Sequence, residues 1–116
     1  MITIIHGEDI VISRKFYIEE KEKSKNPITF LSNNLNLTNL AQELEGNSLF
    51  DTANKEIFIE DFFSKKQSKE FNNIVSFLQK QSGDVNIKIW ESKELSKKQL
   101  NSFKGHQIKL FTLSKS

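Results

Sequence analysis

The sequence of 116 residues contains no cysteine, one proline and four glycines. The lack of cysteine excludes a disulfide framework, thiolate metal sites and thiol-based redox chemistry, and it suits a reducing cytoplasm. Long apolar runs are also missing, since none approaches the roughly 20 residues of a membrane-spanning helix. The apolar start at residues 1–5 is too short for a signal peptide. We therefore expect a cytoplasmic protein with no membrane partner.

The chain also lacks an excess of charge of either sign. Seventeen basic and fifteen acidic residues are interspersed and give a net charge of +2. A dedicated nucleic-acid-binding domain would show a basic stripe and a charge far from neutrality. Binding to DNA is therefore expected to be weak and unspecific, and it would rely on the densest basic stretch, at residues 93–104.

Ten phenylalanines and many aliphatic residues supply the material for one core, and their spacing alternates between strand-like and helix-like. Short apolar runs predict strands, whereas apolar residues at i, i+3, i+4 and i+7 predict helices. The predicted strands are 2–5, 28–31, 56–60, 85–90 and 108–113, and the predicted helices are 9–23, 37–44, 71–78 and 96–103. This alternation predicts a single α/β domain, a three-layer sandwich with a five-stranded, mostly parallel sheet covered on both faces.

The turn after the first strand lies where a phosphate-binding loop would be. A P-loop needs the pattern G-x-x-x-x-G-K-[ST], in which the backbone amides and the lysine hold the phosphates. Counted from Gly7, the last three positions hold Ile12, Ser13 and Arg14 instead. Glu8 and Asp9 would repel a triphosphate. The sequence therefore predicts that ATP does not bind, and Asp9 is instead expected to cap the first helix.

The third strand ends in two acidic residues, Glu60 and Asp61. They weakly resemble a Walker B motif, but without the first motif we expect them to be solvated acids at a strand end. An alternative interpretation is a receiver-like phospho-acceptor signalling domain that uses Asp61. The set Glu8-Asp9, Asp61, Ser92 and Lys115 has the chain order that such a domain requires.

The two histidines, His6 and His106, are far apart in sequence and have no cysteine beside them. A zinc site would need more ligands. We expect His6 to be a strand-end residue with one ring nitrogen in a hydrogen bond. No complete catalytic set and no cofactor site can be assembled from the sequence.

The connector at residues 45–51 is the segment most open to a binding role. Gly46-Asn47 can end a helix, and Ser48 stands in an S-x-x-D relation to Asp51 that begins a new turn. The pair Leu49-Phe50 would then either fold back into the core or protrude as an anchor for a partner.

Four segments occur in succession along the chain: Ile4-Ile5-His6-Gly7-Glu8-Asp9, a helix containing Glu19-Glu20, Ser48-Leu49-Phe50, and the strand at 56–60. This succession resembles the N-terminal domain of the delta subunit of the bacterial DNA polymerase III clamp loader. The resemblance covers nearly the whole chain. It implies the fold of an AAA+ ATPase module without a working P-loop, with no enzymatic activity and no cofactor of its own.

The resemblance also implies a role and a set of partners. Delta binds the beta sliding clamp and helps to open the ring for loading onto primed DNA during replication. The apolar pair of the family that contacts the clamp corresponds to Leu49 and Phe50, preceded by Ser48. We expect the chain to be the N-terminal domain of a longer subunit of the polymerase holoenzyme. In the family, C-terminal domains assemble delta with delta-prime and tau/gamma, and the complex acts at the nucleoid.

Overall fold

The computed structural model of the protein describes residues 1–32, 35–45, 55–64, 69–81 and 85–113. Within them, strands and helices alternate in the predicted order. The elements are β1 (Ile2–His6), α1 (Ile10–Lys23), β2 (Asn26–Leu31), α2 (Leu37–Glu45), β3 (Lys55–Glu60), a 3-10 turn (Phe62–Ser64), α3 (Lys69–Gln81), β4 (Asn86–Trp90), α4 (Lys97–Leu100) and β5 (His106–Leu110).

The five described strands form one sheet in the order β2-β3-β4-β1-β5, and every neighbouring pair is parallel. The predicted α/β class and parallel sheet are therefore confirmed. The central strands are nearly continuous apolar runs because helices cover both of their faces. Pro27 lies in the outer strand β2, where its missing amide costs no central ladder bond.

The core is divided by the sheet into two apolar clusters of unequal size. The larger cluster contains the buried side chains of α2 and α3 together with alternate residues of the central strands, for example Ile4, Ile57 and Ile89. The smaller one joins Tyr17 of α1 to Ile5, Phe58 and Trp90 on the opposite face. Helices on both faces confirm the predicted three-layer arrangement.

The helix boundaries follow from local signals in the sequence. Asp9 caps α1, because its side chain accepts a hydrogen bond from the Ile12 amide at 3.0 Å, as predicted. Ser96 and Gln99 form a capping box at the start of α4. In α3 the buried residues are the stripe that the sequence predicted, Phe71, Ile74, Val75 and Leu78.

The fifth strand is shorter than the sequence indicated. The prediction placed it at 108–113, whereas β5 runs from His106 to Leu110. Phe111 follows the strand: its amide still donates to the His6 carbonyl of β1, but its carbonyl accepts from the Asp9 amide and its ring packs on Phe16, with centroids 5.4 Å apart. The strand therefore ends where the chain closes over the first turn.

The connector between α2 and β3 lies outside the described residues from position 46 to 54. The predictions for Gly46-Asn47 and for Ser48, Leu49 and Phe50 concern this segment. None of the helices in the described part of the chain has the length and apolar character needed to cross a bilayer.

Candidate functional site

The carboxyl ends of β3, β4 and β1 lie side by side at one edge of the sheet. In open α/β sheets this edge is where ligands bind. His6 ends β1, Asp61 follows β3, and Glu91 and Ser92 follow β4. This edge is therefore the candidate functional site of the described residues.

The first turn, after β1, is closed by the chain's own backbone. Gly7 has a φ of +138°, and a Cβ at this position would stand 2.0 Å from the carbonyl oxygen of Phe111. The Phe111 amide donates to the His6 carbonyl at 2.9 Å, and the Asp9 amide donates to the Phe111 carbonyl at 3.1 Å. The glycine is thus required for close approach of residue 111, a purely structural role.

The amides at the start of α1 are already used within the chain. The Asp9 amide donates to the Phe111 carbonyl, and the Ile10 amide donates to the Glu8 carbonyl. The Ser13 amide donates to the Asp9 carbonyl. The Ile12 amide donates to the Asp9 carboxylate. A phosphate-binding helix start presents such amides to its ligand instead. The engaged amides, together with the acidic side chains of Glu8 and Asp9, therefore favour the prediction that ATP does not bind.

Asp61 holds the end of β3 against the end of β4. Its carboxylate accepts hydrogen bonds from the Ser92 hydroxyl at 2.8 Å and from the Ser92 amide at 3.0 Å. Its own amide donates to the Trp90 carbonyl at 2.9 Å, and its φ of 55° is the left-handed conformation that aspartate tolerates. The expectation of a merely solvated acid is therefore wrong for Asp61.

Glu60 is also not a simple solvated acid. Its carboxylate accepts from the Tyr17 hydroxyl at 3.3 Å and lies 3.4 Å from the guanidinium of Arg14. Arg14 in turn stacks over the ring of Trp90 at 4.8 Å. Burial and the neighbouring carboxylate of Glu60 raise the pKa of Tyr17, so the hydroxyl stays protonated and donates to Glu60. This cluster fastens α1 to the sheet.

Glu91 is the most unusual residue of the site, because this acidic residue is only 1% exposed. One oxygen accepts a hydrogen bond from the Phe63 amide at 3.3 Å. Burial raises the pKa of Glu91 to about 8. The Asp61 carboxylate also raises this pKa, whereas the hydrogen bond from Phe63 lowers it. The side chain is therefore mostly protonated at neutral pH.

His6 occupies the position that the sequence predicted, at the end of β1 with one ring nitrogen bonded. Its Nδ1 accepts a hydrogen bond from the Leu95 amide at 2.9 Å, while Nε2 is buried with no hydrogen-bond partner among the described residues. Burial lowers the pKa of His6, against the opposing charge of Glu94. A neutral ring fits this geometry because Nδ1 must be free of a proton to accept.

The structure brings together only part of the receiver-like set. Asp61 and Ser92 are in contact, whereas the Asp9 carboxylate is engaged by the Ile12 amide, and Lys115 lies outside the described residues. Receiver domains have the strand order 2-1-3-4-5, which differs from the order observed. Within the described ranges, no group of three His, Asp or Glu side chains is placed to hold a metal ion.

Sequence reasoning overlooked two parts of this site. The sequence places Glu91 at a strand end where ligands can bind, but it does not predict the burial of this residue, which only the tertiary packing produces. Phe62 and Phe63 were not assigned to the core, yet both are buried, and Phe62 stacks on Phe71 with centroids 4.7 Å apart. The position of these two aromatic residues directly after an apolar strand was the signal that could have predicted their burial.

Replacement of Asp61 tests its role in joining β3 to β4. We expect Asp61→Ala to lower the free energy of unfolding by about 2 kcal/mol, because Ser92 loses a charged acceptor and alanine disfavours positive φ. Asp61→Asn keeps an acceptor and tolerates this conformation, so its cost should stay below about 1 kcal/mol. Urea unfolding of the two variants measures the difference, and equal costs would contradict the assigned role.

Comparisons of the chain with models of known protein families, with curated proteins and with solved structures found no match.

Proposed function

We propose that this chain is a non-catalytic clamp-loader domain that binds the beta sliding clamp and helps to open it. The five-stranded parallel sheet with helices on both faces supports this proposal, because the resemblance implies such an α/β fold. The observation that carries it furthest is the first turn, where such a module would hold nucleotide. Here the backbone of Phe111 fills the turn and engages the Asp9 amide, as a module without ATPase activity allows.

The proposed contact with the clamp is made by Leu49 and Phe50, preceded by Ser48. These residues directly follow α2 in the chain. Leu40 in the middle of α2 is fully buried in the larger core cluster, so this helix is packed onto the body of the domain. Two large apolar side chains in a partner-binding segment can act as anchors in an apolar pocket of the partner.

The double variant Leu49→Ala, Phe50→Ala tests this assignment. Loss of two anchors should weaken binding to the sliding clamp of the same organism by at least about 30-fold, since each hot-spot residue contributes on the order of 2 kcal/mol. The unfolding midpoint should change little, because anchors for a partner contribute little to the fold. Titration calorimetry and thermal unfolding on the same preparations give both values.

Val11→Ala with Ile12→Ala is the matched control, since these two residues are an adjacent apolar pair exposed on α1. Clamp binding by this control should equal that of the unmodified protein. If the Leu49/Phe50 variant instead loses several kcal/mol of stability, the pair belongs to the core. If it folds and still binds the clamp normally, the assigned contact is wrong.

Other parts of the proposal concern the complete subunit. We propose that further domains join it to delta-prime and tau/gamma within the polymerase III holoenzyme, and that DNA is contacted weakly or through the complex. The mixture of exposed charges on α1, which carries both Lys15 and Glu19, agrees with weak DNA binding by this surface. The complex would act at the nucleoid during replication.

A further inference from the structure

The turn at residues 61–64, here called the phenylalanine turn, is held to the end of β4 by acidic side chains. Asp61 binds the amide and hydroxyl of Ser92, and Glu91 accepts from the amide of Phe63. Within the turn, the Ser64 hydroxyl donates to the Asp61 carbonyl at 2.7 Å. The turn carries Phe62 and Phe63 into the larger core cluster, so its position affects the packing of that cluster.

We propose that Glu91 is a proton-controlled latch on the phenylalanine turn: the turn stays closed while the carboxyl group carries its proton, and it opens more often after the proton is released. In the closed structure Glu91 is only 1% exposed, and its carboxylate lies against the turn at the Phe63 amide. An ionised carboxylate loses much of its hydration there, whereas an open turn restores it. Clamp binding by the connector requires no titrating group, so this property goes beyond the proposed function.

The charged groups around Glu91 do not cancel the effect of burial on its protonation, so opening of the turn still depends on its proton. Asp61, at the end of β3, raises its proton affinity, and Lys93, on the loop after β4, acts in the opposite direction but more weakly than burial. On the neighbouring strand β1, His6 accepts from the Leu95 amide, and burial lowers the pKa of its ring. Among the described residues no buried cation is thus available to compensate an ionised Glu91.

The direction of the pH effect follows from the two pKa values. The closed turn binds the proton with a pKa of about 8, whereas an exposed carboxyl group has the ordinary value of 4.5. The free energy of opening is therefore largest at pH values below 4.5, the ordinary pKa. It decreases as the pH rises from 4.5 to about 8, and it is constant at higher pH.

Amide hydrogen exchange measured by NMR on the whole chain tests the latch. After correction for intrinsic exchange, the protection of the Phe63 and Ser64 amides should fall by up to about tenfold per pH unit between roughly pH 5 and pH 8, then level off. Glu91→Gln keeps an acceptor oxygen but has no titrating proton, so its protection should be independent of pH. Glu70→Gln, which alters an exposed acid on α3, is the matched control and should retain the slope of the unmodified protein.

Three results would overturn the proposal. The decrease of amide protection with rising pH could persist in Glu91→Gln, or it could be absent from the unmodified protein. It could also appear equally at the amides of central strand residues such as Ile57 and Ile87, which would mean that the whole fold opens and not the turn. Should Glu91→Gln fail to fold, the carboxyl carbon of Glu91 can be titrated directly in the unmodified protein, and a midpoint near the ordinary value of 4.5 would disprove the latch.

Discussion

Gly7→Ala is expected to lower the free energy of unfolding by about 4 kcal/mol, which is exceptional for one added methyl group. The new Cβ would lie 2.0 Å from the Phe111 carbonyl oxygen, and the φ of +138° is one that alanine rarely adopts. Relief requires the end of β5 to move, and this movement would break the hydrogen bonds of Phe111 with His6 and Asp9. Chemical unfolding followed by tryptophan fluorescence measures the loss, because Trp90 is buried in the smaller cluster.

Gly105→Ala is the matched control for this prediction. Gly105 also has a positive φ, +64°, but a Cβ there has no neighbour within 4 Å. Its cost should be about 1 kcal/mol, the ordinary penalty of an alanine in the left-handed region. Equal effects of the two substitutions would show that the contact with Phe111 is not what Gly7 is needed for.

Phe62→Ala is expected to cost about 3–5 kcal/mol, the usual range for a fully buried phenylalanine. The ring of Phe62 stacks on Phe71 and also contacts Phe63 and Phe103, with centroid distances of 4.7, 5.2 and 5.8 Å. Its removal leaves a cavity among aromatic rings that cannot easily collapse. The free energy of unfolding in urea gives the value directly.

Phe77→Ala is the control, because Phe77 lies on α3 and is only partly buried against the same cluster. Its truncation should lower the free energy of unfolding by roughly 1–2 kcal/mol, since a ring that is already partly exposed to water has less buried apolar area to lose. A Phe62 variant no less stable than the Phe77 variant would mean that the phenylalanine turn is not part of the core.

The proposed contact with the partner depends on residues 48–50, in the connector between α2 and β3. The described structure shows α2, which precedes them in the chain, and the turn after β1, where Gly7 lies against the backbone of Phe111. Ser48, Leu49 and Phe50 are therefore the first residues to change in an experiment.

The sequence alone determined the elements and their order, because these depend on contacts between residues close along the chain. The apolar stripe of α3 and the Asp9 cap are readable from spacings of three or four residues. Alternation of strands and helices then implied a parallel sheet, since parallel neighbours need a crossover between them. The absence of a P-loop pattern was visible in the same way.

Only the tertiary structure decided what happens at the carboxyl edge of the sheet. Asp61 and Ser92 are 31 positions apart in the sequence, and Phe63 and Glu91 are 28 positions apart, so no local pattern pairs them. The order of the strands brings β3 next to β4, and this neighbourhood places Asp61 and Glu91 in hydrogen bonds between the two strand ends. Glu91 is buried and meets the Phe63 amide of the phenylalanine turn, and this burial raises its pKa. The sequence has no local signal for such a long-range contact.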